Sequence, residues 1–367
     1  MKRMNALAQK SQISIGIIGA GWIAEYAHLP SFMSMDNVSV QAIYDTDATR
    51  AGRLAKQTGA MACSSLSEIG QVPLDAVILC TPNHTHFELT KIFLDRGIHV
   101  LCEKPMTTTA EDAVALRHIT QGTGTVLLMG FVNRYRDDIQ ELRSRIRSGQ
   151  IGKIQICEVS WRRKKGIPRP GSWFTQKQLS GGGVLIDLGS HMIDQLLYLT
   201  EADEPVACLA SIYSRPVSTQ EGYSNWLGSF ESEKVEVEDT AVGMIQFANG
   251  VLGKLHVSWQ DDVEGDFVEI HLKGERGSLT LRTLFGFSDQ GMYKQPHLLF
   301  THAGQEAQYI PFPTKSDPLL AFKRQADHLV ACIREKSQPG ISVRDGEKVV
   351  QLIQLLYQSA RKGLVVT

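Results

Sequence analysis

The chain lacks several things that a specialised protein would need. Of its 367 residues 38 are Lys or Arg and 39 are Asp or Glu, so neither sign is in excess. Nucleic-acid-binding domains usually carry a basic surplus that neutralises phosphates, and this composition argues against them. No apolar run approaches the roughly 20 residues that span a bilayer. The longest, around Val77–Cys80 and Val126–Met129, are strand-sized and argue against a membrane protein. The stretch Met1–Gln12 carries Lys2, Arg3 and Lys10 but no continuous apolar core, which reads as a frayed leader and not a secretion signal. Cysteine is sparse too: Cys63, Cys80, Cys102, Cys157, Cys208 and Cys332 form no CxxC pair. That scatter offers no zinc site and no disulfide framework, and it suits a reducing cytoplasm. Internal repeats and low-complexity tracts are absent as well.

What the chain does have is length for two domains with real cores. From Ile13 to about Arg134, short apolar runs alternate with helical patterns. The runs Ile13–Ile18, Val38–Tyr44, Ala76–Cys80, His99–Cys102 and Val126–Gly130 are the expected strands. This alternation specifies an α/β domain with a parallel sheet. After Arg134 a charged helix, Asp137–Arg147, is followed by longer strands: Lys153–Trp161, Thr240–Phe247, Val251–Trp259 and Phe267–Lys273. Turn signals at Ala248-Asn249-Gly250 and Gly274–Gly277 make this an α+β domain on a large open, mainly antiparallel sheet. Helices are expected over Val184–Leu199, Pro318–Glu335 and Arg344–Lys362. The expected division is 1–134 and 135–367, with the C-terminal helix free to pack back on the first domain.

The first unit holds the strongest motif. Ile13–Ile18 runs into Gly19-x-Gly21-x-x-Ala24 and then a helix. Gly19 permits the tight turn, Gly21 removes a side chain that would block a pyrophosphate, and Ala24 lets helix and strand pack closely. The helix N-terminus then offers N–H groups to the phosphates. Asp45 ends the second strand, where a carboxylate accepts from ribose hydroxyls and repels a 2′-phosphate. NAD is therefore expected over NADP, a helix cap or turn being the other role open to Asp45. Two further strand ends, Thr81-Pro82-Asn83-x-x-His86 and Glu103-Lys104-Pro105, fall where α/β sheets place ligands.

With these, the later Asp187-x-x-x-His191 completes a set that resembles the Gfo/Idh/MocA oxidoreductases over nearly the whole chain. The resemblance implies an N-terminal Rossmann domain with NAD as cofactor and Gly19, Gly21, Trp22, Ile23, Asp45, Thr81, Pro82, Asn83, His86, Glu103, Lys104 and Asn133 around it. It also implies a catalytic set of Lys104, Asp187 and His191. On a helix Asp187 and His191 share one face. A histidine suits proton transfer near neutrality, and a lysine can stabilise developing alkoxide charge. The reaction implied is NAD-dependent oxidation of a secondary ring hydroxyl of a sugar, amino sugar, sugar acid or cyclitol. The family also implies a homodimer or homotetramer. Two other readings stay open: an NAD-dependent glycosidase of the same fold, and a non-catalytic, sugar-responsive NAD-binding regulator.

The loop Trp161–Phe174 precedes the catalytic helix. The resemblance implies that Trp173 gives an aromatic wall for a sugar, with Tyr135, Arg163 and Arg169 expected as further substrate contacts. The run Arg162-Arg163-Lys164-Lys165 reads either as an anion site or as a solvated charge run packed on the sheet. Tyr135 is open between the cleft and the core, and His86 between the cofactor loop and a structural role. His84 and His99 are expected to be structural.

Overall fold

A computed structural model describes residues 12–215, 235–312 and 317–367. The N-terminal leader, apart from Gln12, lies outside them. The chain forms two compact units, Met1–Val132 with Leu319–Glu347, and Asn133–Pro318 with Lys348–Thr367.

The first unit is built on a six-stranded parallel sheet in the order β3-β2-β1-β4-β5-β6. Its strands are β1 (Ile13–Ile18), β2 (Val38–Tyr44), β3 (Met61–Cys63), β4 (Ala76–Leu79), β5 (His99–Cys102) and β6 (Leu127–Met129). Helices on both faces leave β4 and β5 wholly buried, which is why these strands are continuous apolar runs without alternation. The helices begin on side chains chosen for it. Asp47 accepts from the Thr49 and Arg50 N–H groups to open Ala48–Thr58, and Thr109 accepts from Asp112 N–H to open Ala110–Thr123. From the far end of the chain, Pro318–Glu335 buries Phe322, Ala326 and Leu329 in this unit, and its Gln325 donates to the Met129 carbonyl. Strand order reverses between β1 and β4, the position at which such sheets open a crevice at the strands' carboxyl ends.

The second unit carries an eight-stranded sheet in the order β14-β13-β12-β11-β7-β10-β9-β8. Its strands are β7 (Ile154–Arg162), β8 (Pro205–Tyr213), β9 (Thr240–Phe247), β10 (Leu252–Ser258), β11 (Phe267–Gly274), β12 (Gly277–Thr283), β13 (His297–His302) and β14 (Gln308–Ile310). Every neighbouring pair is antiparallel except β7 with β10. Burial alternates along the strands. Cys157, Val159 and Trp161 of β7 and Val268, Ile270 and Leu272 of β11 face the core, while the residues between them stay partly open. The helix Val184–Thr200 lies on the buried face, and the sequence places it to within one residue.

Strands β3, β8 and β12–β14 are not among those the sequence marks. β3 has three residues, and β8 carries Val206, Leu209 and Tyr213 on its exposed face, which blurs the period-two signal.

Candidate active site

In the first unit the glycine turn has the geometry its residues require. Gly19 sits at φ +92°, and a Cβ there would lie 2.5 Å from the Cys80 carbonyl oxygen. A Cβ on Gly21 would meet nothing within 4 Å, so open ground lies in front of the loop for a pyrophosphate. The following turns, Ala24–His28, are π-helical and run into Leu29–Met33. Asp45 holds this loop to the end of β2. Its Oδ2 accepts from Ala20 N–H at 2.7 Å and its Oδ1 from Asp47 N–H at 2.8 Å. The turn role and the cofactor role are therefore compatible, because Oδ2 keeps a second lone pair for a ribose hydroxyl, while Oδ1 also takes the Thr46 hydroxyl at 3.5 Å. Arg50, the nearest basic residue after Asp45, pairs with Asp47 at 3.2 Å. These residues fit a dinucleotide without a 2′-phosphate.

Two histidines organise the neighbouring strand ends. His86 is fully buried, with Nδ1 2.7 Å from the Pro105 carbonyl and Nε2 2.9 Å from the Thr81 carbonyl. Burial pushes this imidazole below its ordinary range, and a neutral ring donates to one carbonyl at a time. His86 thus ties the Thr81–Asn83 turn to the loop bearing Lys104. His28, which no motif marks, holds Glu103: its Nε2 is 2.8 Å from Glu103 Oε1, while Oε2 accepts from the Lys104 backbone N–H at 3.2 Å. Trp22 stacks on Tyr26, and Ile23 is half-buried beside it. His99 accepts from Val126 N–H inside the sheet.

In the second unit, the helix Val184–Thr200 is buried on nearly every side. Only Asp187, His191 and Tyr198 are partly open, so the two candidate catalytic residues share its one accessible stripe. Each is steered by a neighbour. The Trp259 indole, 1% exposed, donates from Nε1 to Asp187 Oδ2 at 2.9 Å. Asn133 Nδ2 lies 3.2 Å from His191 Nδ1, and the Trp161 ring sits 5.6 Å from the imidazole, centroid to centroid. One turn beyond His191, Asp194 holds Arg134 in a buried pair, its Oδ1 accepting from Nη2 at 2.6 Å and from Nε at 2.9 Å, with the guanidinium 4.6 Å from the Tyr198 ring centre. Trp259 and the Arg134–Asp194 pair carry no recognisable spacing, and the sequence does not reveal them. Asn133, expected at the cofactor, lies at His191.

The Trp161–Phe174 loop is charge-compensated where it leaves β7. Arg162 Nε lies 2.6 Å from Asp261 Oδ2 and Arg163 Nε 3.6 Å from Asp266 Oδ2. Burial works against the Asp261 carboxylate, but Arg162 and the Asp262 N–H outweigh it and hold the carboxyl below its usual range. Half of the basic run is thus tied to acids of the loop between β10 and β11, as the packed reading of it expects. Lys164 and Lys165 are exposed, and Arg169 is half-buried. Trp173 stacks on Phe174 with centroids 3.7 Å apart, both half-buried, and Tyr135 is half-buried at the end of a short 3₁₀ turn.

Comparison with known proteins agrees with this architecture. Residues 13–131 match the model of the oxidoreductase family with an NAD-binding Rossmann fold, and residues 139–280 match the GFO/IDH/MocA C-terminal domain. The chain is 28% identical over 366 residues to D-glucoside 3-dehydrogenase of Escherichia coli (strain K12), covering 98% of this chain and 99% of that one. It is 24% identical over 359 residues to the NAD(+) scyllo-inositol 2-dehydrogenase of Bacillus subtilis (strain 168), covering 97% and 96%. Its fold superposes on levoglucosan dehydrogenase in complex with NADH and levoglucosan, with a TM-score of 0.81 at 22% identity, over 97% of this chain and 98% of that chain.

Proposed function

Because the chain belongs to the Gfo/Idh/MocA oxidoreductases, whose members similar to it act on sugars and cyclitols, we propose that it is an NAD-dependent dehydrogenase oxidising a secondary ring hydroxyl of such a compound. The observation that carries this reading is the paired stripe on one buried helix: Asp187 fixed by Trp259, and His191 fixed by Asn133. NAD, when bound, supplies the hydride acceptor. The chain's own residues do the rest. His191 takes the hydroxyl proton on its imidazole as the carbon is oxidised, with Asn133 holding the ring in place. Asp187, its carboxylate aimed by the indole N–H, orients the hydroxyl and the imidazole. Lys104 balances the charge that develops on the oxygen. Microscopic reversibility gives His191 and Lys104 the same posts in carbonyl reduction.

Two features refine the proposal. Asp45, with Arg50 engaged by Asp47, favours NAD over NADP. The pairing of Arg162 and Arg163 with Asp261 and Asp266 favours a neutral, hydroxyl-rich ring over a phosphorylated one. The test is purified protein with NAD or NADP and a panel of pyranoses, D-glucosides and inositols, followed at 340 nm. Reduction of NAD by at least one neutral ring polyol is expected. No reduction by any of them, with aglycone release from a glycoside instead, would overturn the proposal.

A further inference from the structure

The catalytic helix begins without a cap of its own. The sequence before Val184 is Ser180-Gly181-Gly182-Gly183, and Gly183 offers no side chain to the orphan N–H groups of the first turn. They are satisfied from another part of the unit. Glu238, just ahead of β9 and 5% exposed, accepts from Gly183 N–H with both carboxylate oxygens at 3.1 Å and from Leu185 N–H with Oε1 at 3.0 Å. Its backbone carbonyl takes Val184 N–H at 3.0 Å, and the Tyr357 hydroxyl donates to Oε1 at 2.7 Å. The glycines are what admit this arrangement. A Cβ on Gly183 would lie 2.0 Å from the Glu238 carbonyl oxygen, and one on Gly182 would lie 2.0 Å from the Tyr357 hydroxyl.

Resting on the proposed role of His191, we infer that Glu238 is a positioning residue: its carboxylate starts the helix that carries Asp187 and His191, and its charge sets the potential in which both work. Three of the helix's first N–H groups go to this one residue, so the helix cannot shift along its axis without breaking all three. The same mouth of the β9–β10 hairpin supplies the second anchor. Trp259, whose N–H donates to the Asp239 carbonyl at 2.9 Å, sends its indole to Asp187. Burial pushes the Glu238 carboxyl up, while the hydrogen bonds from Tyr357, Leu185 and Gly183 work the other way and favour its anion. A buried anion on a helix start offsets the positive end of the dipole. At 1.5 Å per residue Asp187 lies about 6 Å and His191 about 12 Å along the axis from Gly183. The helix also carries Asp187, Tyr198 and Asp194, the last in an internally neutral pair with Arg134, while Tyr357 and the buried Asp239 stand at the cap.

Glu238→Gln keeps the shape and removes the charge. The experiment is a titration of the full-length chain labelled with carbon-13 at histidine Cε1, with His191 assigned as the resonance missing in His191→Asn. The expected result is a His191 pKa about 0.5 to 1 unit lower in Glu238→Gln, with the remote His271 and His302 unchanged and kcat reduced at an unaltered NAD KM. A folded Glu238→Gln whose His191 titrates as in the parent overturns the inference. Glu238→Asp keeps the charge but withdraws it by one methylene; it should hold the His191 pKa and lower kcat several-fold, and an unchanged kcat would likewise overturn it. The titration needs no substrate. Full turnover by His191→Asn would sink the catalytic reading and leave the titration to decide the cap.

Discussion

Replacing Trp259 with Phe isolates the donor that aims Asp187. The indole N–H lies 2.9 Å from Asp187 Oδ2 in a pocket where Trp259 is 1% exposed, so water cannot take its place. A hydrogen bond to a charged group contributes about 1.5 to 3 kcal/mol. Each 1.36 kcal/mol corresponds to about tenfold in rate. If the bond serves to hold the carboxylate in its working orientation, its loss should lower kcat by about ten- to a hundredfold. Phenylalanine keeps one ring of the indole and leaves the space of the other, at a cost of about 1 to 3 kcal/mol in stability. At roughly 2 to 4 °C per kcal/mol for a unit of this size, the melting temperature should fall by a few degrees and the protein stay folded at 25 °C. Steady-state turnover at 340 nm, with NAD affinity from quenching of intrinsic fluorescence, reads the outcome. NAD affinity should be unchanged, since the residues proposed for the cofactor, Asn133 excepted, belong to the first unit. A folded variant with the parent's kcat would refute the assignment of Trp259 to Asp187.

Three further outcomes are expected. Asp194→Ala strands Arg134, only 5% exposed, without its counter-ion and should cost about 3 to 5 kcal/mol; calorimetry should show a drop of about 10 °C, largely recovered when Arg134 is also replaced by Leu, and an equal drop in both variants would contradict it. Asp45→Ser removes both a ribose acceptor and the repulsion of a 2′-phosphate, so the KM for NAD should rise about tenfold and the preference over NADP shrink; an unchanged ratio of the two kcat/KM values would count against Asp45. Burial pushes the thiols of Cys102 and Cys208 up to about 12 and about 11, so their thiolate fraction stays small as pH rises from 7 to 9; neither should react quickly with iodoacetamide until denaturant is added, and rapid labelling of native Cys102 would show the buried sheet to be wrong.

Much of this was legible because local rules and tertiary structure agree. The bounds of β1, β2 and β5, the helix Asp137–Arg147 and the helix Pro318–Glu335 follow from apolar runs and periodicity that the fold does not override. The glycine turn, Asp45 and the Asp187–His191 spacing are legible for the same reason, since each is a short-range pattern. What sequence does not disclose are contacts between residues far apart in the chain. Trp259 reaches Asp187 across 72 positions, His28 reaches Glu103 across 75, and Glu238 reaches Leu185 across 53. None has a spacing rule, because only the packing of helices and loops onto the strand ends brings them together. One signal was present: three glycines before a long apolar helix leave its first N–H groups without a cap, which calls for a partner from elsewhere. The charge run Arg162–Lys165 is the converse case, where only the sheet reveals that Asp261 and Asp266 oppose its two arginines.

The central claim is that His191 moves the proton and contributes little to holding the cofactor. The most direct test is His191→Ala, measured for both NAD binding and turnover of a polyol that the parent oxidises. The account predicts a kcat lower by about 10² to 10⁴ with the dissociation constant for NAD nearly unchanged. Turnover equal to the parent's would contradict it.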